Sequence, residues 1–162
     1  MSQHPLPLPE GVVCALIGAP GSGKSTFAAR FPSTWCLNLD TYRALAADTE
    51  ADQSAAPVAV DVQKLLLDAR LSRGLRAVID STNLEPAVRA GLLARARRWN
   101  RPTVAVLFDV PLGTILARNG DRTRVVAPRV VADLHHLLPT TEQLTAEGFG
   151  TVYRISDRTT DV

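Results

Sequence analysis

The stretch of this sequence with the most explicit chemistry is Gly18-Ala19-Pro20-Gly21-Ser22-Gly23-Lys24-Ser25. It meets G-x-x-x-x-G-K-[ST] at every fixed position, the spacing by which a loop wraps backbone N–H groups around a phosphate chain. Gly21 and Gly23 let the loop curl without Cβ clashes. Lys24 can reach the outer phosphates, and the Ser25 hydroxyl can ligate Mg²⁺. Lys24 is one of only two lysines among eighteen basic residues. Arginine, the chain's habitual cation, would replace its point charge badly in so tight a cradle.

Other charged residues could complete a phosphoryl transfer. Asp40 and Arg43 stand three apart after an apolar run. Transfer to a hydroxyl needs a carboxylate near the attacking oxygen, which Asp40 could supply, while Arg43 could grip an acceptor phosphate. The same spacing also suits a capping aspartate with an i,i+3 ion pair. Asp80 ends the run Ala77-Val78-Ile79, the place of a carboxylate that holds Mg²⁺; capping is its other reading. Asp109, before Val110-Pro111, reads as a helix-start cap. Arg118 and Arg122 share a helix face and, with Arg124, could close over a triphosphate as a mobile lid spanning Arg118–Arg129. A solvated helix end would look the same. His135-His136 lacks a nearby third ligand and reads as packing.

These residues need elements to hold them. Val12–Ile17 suits a buried strand, and Thr26–Arg30 a helix that Phe31-Pro32 ends, so the glycine-rich loop sits at a helix N-terminus. Thr34–Leu39, Ala77–Asp80, Thr103–Phe108 and Thr151–Ile155 read as further strands. Between them, helices are expected over Thr41–Ala46, Val58–Ser72, from Pro86 to Trp99, from Leu112, over Arg129–Leu138 and over Thr140–Glu147. In the second of these, Val58, Val62, Leu65, Leu66 and Ala69 recur at helical spacing and form the expected inward face. In the third, that face is Val88, Leu92, Ala96 and Trp99. Alternation of strand and helix predicts an α/β fold, a parallel sheet covered on both faces. Right-handed crossovers then gather Lys24, Asp40, Asp80 and Asp109 at one sheet edge.

The 162 residues, 46% apolar, suit one domain over residues 12–156, with a flexible lead-in over 1–11 and a loose tail over 157–162. From Arg89 to Arg129, nine arginines face only Asp109 and Asp121, a local balance of +7 in a chain of net charge +2. That suits a polyanion or nucleotide site, or a solvated helix face. Cys14 and Cys36 lie in apolar runs without metal-ligand spacing and read as buried, reduced thiols. The first ten residues lack the pattern of a secretory signal, and no run approaches membrane-spanning length, so a cytoplasmic protein with no membrane partner is expected.

The motifs together resemble the P-loop kinase domain of polynucleotide 5′-hydroxyl kinases. The matching residues are Gly18–Ser25 with Thr26; Asp40-Thr41-Tyr42-Arg43, similar to a D-x-x-R element; Asp80-Ser81-Thr82-Asn83, similar to D-x-T-N; and Phe108–Leu112 followed by Arg118 and Arg122, similar to its lid. The resemblance implies a three-layer P-loop fold with strand order 2-3-1-4-5, and ATP with Mg²⁺ as cofactors. It implies Asp40 as general base, Arg43 on the acceptor phosphate, and Arg118 and Arg122 as lid arginines. The acceptor would be a 5′-hydroxyl end of RNA or DNA. The same outline serves kinases of nucleosides, sugars or antibiotics, and a non-catalytic nucleotide switch would need the loop without a base. No D-x-D-x-T phosphatase motif is present, so a stand-alone kinase unit is expected.

Overall fold

Short runs of Val, Ile, Leu and Ala bounded by turns become strands, and in the computed structural model they form one sheet. The structure describes residues 6–122, 125–156 and 159–161. The strands are β1 (Val13–Ile17), β2 (Cys36–Asn38), β3 (Ala77–Asp80), β4 (Thr103–Phe108), β5 (Thr151–Ser156) and β6 (Thr159–Asp161). The first five run parallel in the order 2-3-1-4-5. Where a loose tail was expected, β6 turns back antiparallel to β5. The helices are α1 (Lys24–Ala28), α2 (Leu39–Ala47), α3 (Ala56–Ser72), α4 (Pro86–Arg98), α5 (Leu112–Gly120), α6 (Pro128–His135) and α7 (Thr141–Glu147).

Period-two alternation sorts the strand residues onto two faces. Val13, Ala15, Ile17, Ile79 and Leu107 pack under α3, α4 and α7. Val12, Cys14, Leu16, Val78 and Val106 pack on the opposite side against Phe27 and Phe31. Leu6 and Leu8, within the expected lead-in, are buried in this second cluster. An aromatic ladder crosses it: ring centroids are 5.6 Å apart for Phe108 and Phe27, 5.5 Å for Phe27 and Phe31, and 6.0 Å for Phe31 and Trp35. The Arg76 guanidinium lies 4.9 Å from the Trp35 ring. Cys14 is buried, which pushes its thiol up to about 12, whereas Cys36 is only half-buried.

The structure turns α3 partly away from its expected face, of which Val62 still packs against the core. Val58, Leu65 and Leu66 are exposed, while Ala59, Gln63, Leu67 and Leu71 are buried. Apolar residues stand on two sides of this helix, so periodicity cannot choose between them. Leu67 and Leu71, each worth about 1.5–3 kcal/mol when fully buried, fill the space over the sheet. In α4, Leu92 and Ala96 face inward as expected, but Val88 is exposed.

The arginine excess is likewise not one surface. Arg89 is 2% exposed and pairs side-on with Glu147, through Nε at 2.7 Å and Nη2 at 2.6 Å. Its Nη1 donates to the carbonyls of Asn83 at 3.1 Å and Leu84 at 2.7 Å. Arg95 pairs with Asp68, and Arg101 donates from Nε to the Leu71 carbonyl at 2.8 Å. A buried guanidinium needs this full set of partners to offset its desolvation.

Candidate active site

The loop between β1 and α1 is shaped by close approach on both sides. Gly18 donates its N–H to the Thr82 carbonyl at 3.1 Å. A Cβ there would stand 2.6 Å from Ser22 Oγ, so no larger residue fits. Gly21 has φ +85° and lies under α5, where a Cβ would come within 3.2 Å of the Ile115 carbonyl oxygen. Lys24 is 8% exposed, and its ammonium donates to the carbonyls of Gly18 and Ala19, both at 2.8 Å. Burial pushes its pKa down to about 8; Asp80 and Asp40 oppose this shift, and Arg122 reinforces it.

Register brings the next groups together. Asn38 stands beside Asp80 across β2 and β3. Asp80 Oδ2 accepts from Ser25 Oγ at 3.1 Å and from Asn38 Nδ2 at 2.8 Å. Asp80 ends β3 and caps no helix; α4 starts beyond Glu85, with Pro86 in its first turn. A hydroxyl beside a carboxylate is the donor set that suits Mg²⁺, which takes one or two protein oxygens and completes its shell with phosphate and water. Among the described residues no group of three or more His, Cys, Asp and Glu could hold a metal by itself. Asn83, left-handed at φ 50°, donates to the carbonyls of Leu16 at 2.7 Å and Ile79 at 3.1 Å, tying the ends of β1 and β3.

α2 begins at Leu39, two residues earlier than expected, because Asn38 caps it by accepting from the Thr41 N–H at 3.1 Å. Asp40 and Arg43 therefore sit one turn apart and form an ion pair. Arg43 Nε also donates to the Glu50 carbonyl at 2.9 Å. Of the capping reading, the ion pair is present but the cap is not, since Asn38 and not Asp40 caps α2; both Asp40 and Arg43 line the cleft.

On the far side, Ala19, Val110, Ile115 and Val131 form a small buried cluster joining the loop to α5 and α6. Asn119 is 1% exposed, and its amide both donates to the Val126 carbonyl at 2.6 Å and accepts from the Val126 N–H at 3.0 Å. These two hydrogen bonds tie Val126 to the end of α5, three residues before Arg122. Arg124 lies outside the described residues. Asp109 caps nothing: it accepts from Arg154 Nε at 2.8 Å, and Pro111 precedes α5. His135 meets the Val110 carbonyl through Nε2 at 3.0 Å.

A cleft of about 910 Å³ runs between these walls. Pro20, Gly21, Ser22, Gly23, Lys24, Ser25, Thr26, Asp40, Arg43, Asp80, Arg118 and Arg122 all line it. Gly18 and Ala19 lie beneath it. Sequence reasoning missed Asn38 and Asn119, which hold the Asp80 side and the Arg122 loop. Asn38 carried a signal, a good capping residue just before the helix; Asn119 carried none.

A family model described as AAA domain matches residues 13–145. No curated protein matches the chain in sequence. Among solved structures, a chain of the Pnkp1/Rnl/Hen1 RNA repair complex is similar at TM-score 0.69 and 22% identity, over 91% of this chain and 49% of that one. The AvrRxo1-ORF1:-ORF2 complex with ATP is similar at TM-score 0.69 and 16% identity, over 90% and 54%. Mycobacterium tuberculosis APS kinase CysC, in complex with AMPPNP and APS, gives TM-score 0.58 and 17% identity, over 95% and 93%. The chain spans about half the length of the first two. At these identities the likeness concerns the fold, which several kinases share. Among the described residues no helix is long and apolar enough to cross a membrane.

Proposed function

The chain belongs to the AAA domain family, and on that premise we propose that it is an ATP-dependent kinase that moves the γ-phosphoryl group to a hydroxyl acceptor. The observation that carries this is the meeting, in one cleft, of Lys24, the Ser25–Asp80 pair and Asp40 at the ends of β1, β3 and β2. A nucleotide switch would need the first two without the third.

In this reading the loop N–H groups from Gly21 to Thr26 cradle the phosphates, and Lys24 exchanges its loop carbonyls for the outer phosphate oxygens. Ser25 and Asp80 would hold Mg²⁺, which would supply positive charge against that of the phosphates. Asp40 accepts the proton of the attacking hydroxyl. Arg118 and Arg122, on the segment closing over the cleft, stabilise charge on the transferring group and exclude water.

Two acceptors fit. A 5′-hydroxyl end of RNA or DNA is supported by the resemblance of the motifs and by the RNA repair neighbour. A small molecule is favoured by a specific observation: Arg89, Arg95 and Arg101, three of the nine arginines of the basic region, are committed to internal partners and are not offered to a polyanion. Transfer of labelled γ-phosphate to a panel of 5′-hydroxyl oligonucleotides and neutral metabolites tests both. Oligonucleotide transfer that falls steeply with salt supports the first. Salt-insensitive transfer to a metabolite supports the second, and tight ATP binding without transfer to anything defeats the kinase reading.

A further inference from the structure

Arg43 is the only cation that α2 brings to the cleft. It is also the residue from which a charged acceptor was expected. Its side chain is 12% exposed, against 45% for Asp40. The side edge of its guanidinium is already divided: Nε serves the Glu50 carbonyl at 2.9 Å, and Nη2 serves the Asp40 carboxylate. That edge is one of the two that can bind an oxyanion in two parallel bonds, and the one that Arg89 uses with Glu147. Turning it toward a ligand would strip Asp40 of its partner and release the backbone at Glu50.

Among the described residues, the other cations of the cleft lie elsewhere. Lys24 is in the phosphate loop. Arg118 and Arg122 come from α5 and its following turn, and α5 abuts that loop at Gly21. Arg30 lies over the Phe27 ring at 5.5 Å. Among the described residues, the stretch 38–53 adds to the cleft, besides Asp40 and Arg43, only Asn38, Leu39 and Gln53, all neutral.

We propose that Arg43 is a positioning residue, which orients Asp40 and pins the 48–52 loop, and that the acceptor is a hydroxyl compound with no anionic group beside the reacting hydroxyl. This rests on the kinase reading above. It narrows the acceptor to neutral molecules such as nucleosides or sugars.

The test compares ribonucleosides with their 3′-phosphates as acceptors, in the full chain and in Arg43→Gln. Wild type should use the neutral nucleosides at least as well. Arg43→Gln should lower kcat about 10²-fold on both acceptor types while leaving the acceptor KM unchanged, the mark of a lost transition-state arrangement. A tenfold or greater preference of wild type for the 3′-phosphates, lost in Arg43→Gln through KM, would overturn the proposal. Amide exchange over residues 48–52, without any acceptor, is the second measurement. Faster exchange in Arg43→Gln supports the pin, and unchanged exchange overturns it. If neither acceptor class is phosphorylated by wild type, the kinase reading on these compounds fails by itself, and the exchange result still decides the role of Arg43.

Discussion

The two walls of the cleft are built on different principles. The phosphate-loop wall rises from β1, β3 and β4, inner strands buried on both faces, and its loop is fixed by backbone contacts, Gly18 on Thr82 and Gly21 against Ile115, with the Asn83 side chain tying two strand ends beneath it. The acceptor wall rises from β2, a three-residue strand at the edge of the sheet, and is held by side chains: Asn38 on Asp80, Arg43 on Asp40 and Glu50. Backbone packing tolerates almost no substitution. Side-chain bonds can be exchanged one at a time, so the second wall is where one fold would come to serve different acceptors.

The sharpest way to break this contrast is Lys24→Ala. Transfer should fall on the order of 10³-fold or more, with thermal stability retained, because the ammonium bonds carbonyls of the loop and not the core. Turnover near wild type in a folded protein would remove the phosphate-loop wall from the chemistry.

Next comes Asp40→Asn. Turnover should drop by roughly 10² to 10⁴, with ATP affinity within about twofold of wild type. Calorimetric titration with ATP checks the second half. A collapse of affinity would mean that the two walls are not separable.

The smallest effect is on pH dependence. Lys24 is held at about 8 in the free protein, against 10.5 ordinarily. Between these values the unfolded chain binds more protons than the folded one, so stability rises with pH across the window, and the cost of burying the charge is fully present below pH 8. Bound phosphates raise the lysine again. ATP binding near pH 9 should therefore take up a fraction of one proton, and affinity should fall as pH rises. Titration in two buffers of different ionisation enthalpy measures the uptake, which Lys24→Ala should abolish.

The same contrast explains what could be read from the chain. The glycine spacing and the short apolar runs of β1, β3 and β4 state their structure locally, since a doubly buried strand admits little else. The sheet order came from the resemblance of the motifs, and the structure has it. The α3 face was not legible, because Leu65 and Leu67 are equally apolar and only the sheet decides between them. Arg89 looked like part of a basic surface, since nothing local reveals that Glu147, 58 residues on, takes its guanidinium. Asp109 suggested a cap until Arg154 claimed it. The helix over Thr140–Glu147 was legible, but the capping box at Thr140 and Gln143, whose reciprocal bonds of 3.1 and 2.8 Å start α7, was not singled out.

The ladder from Phe108 through Phe27 and Phe31 to Trp35 runs from the end of β4, past α1, to the entry of β2. It therefore acts as a strut between the two walls, so that a shift of the phosphate-loop helix is passed to the acceptor strand through edge-on and stacked rings. It also gives the molecule an optical gauge. Trp35 stands at the end of the strut and under the Arg76 guanidinium, so its fluorescence should respond when the spacing of the walls changes. Trp99, the other tryptophan, is bonded to Asp68 at 3.1 Å on the helical layer and provides a reference that nucleotide does not touch.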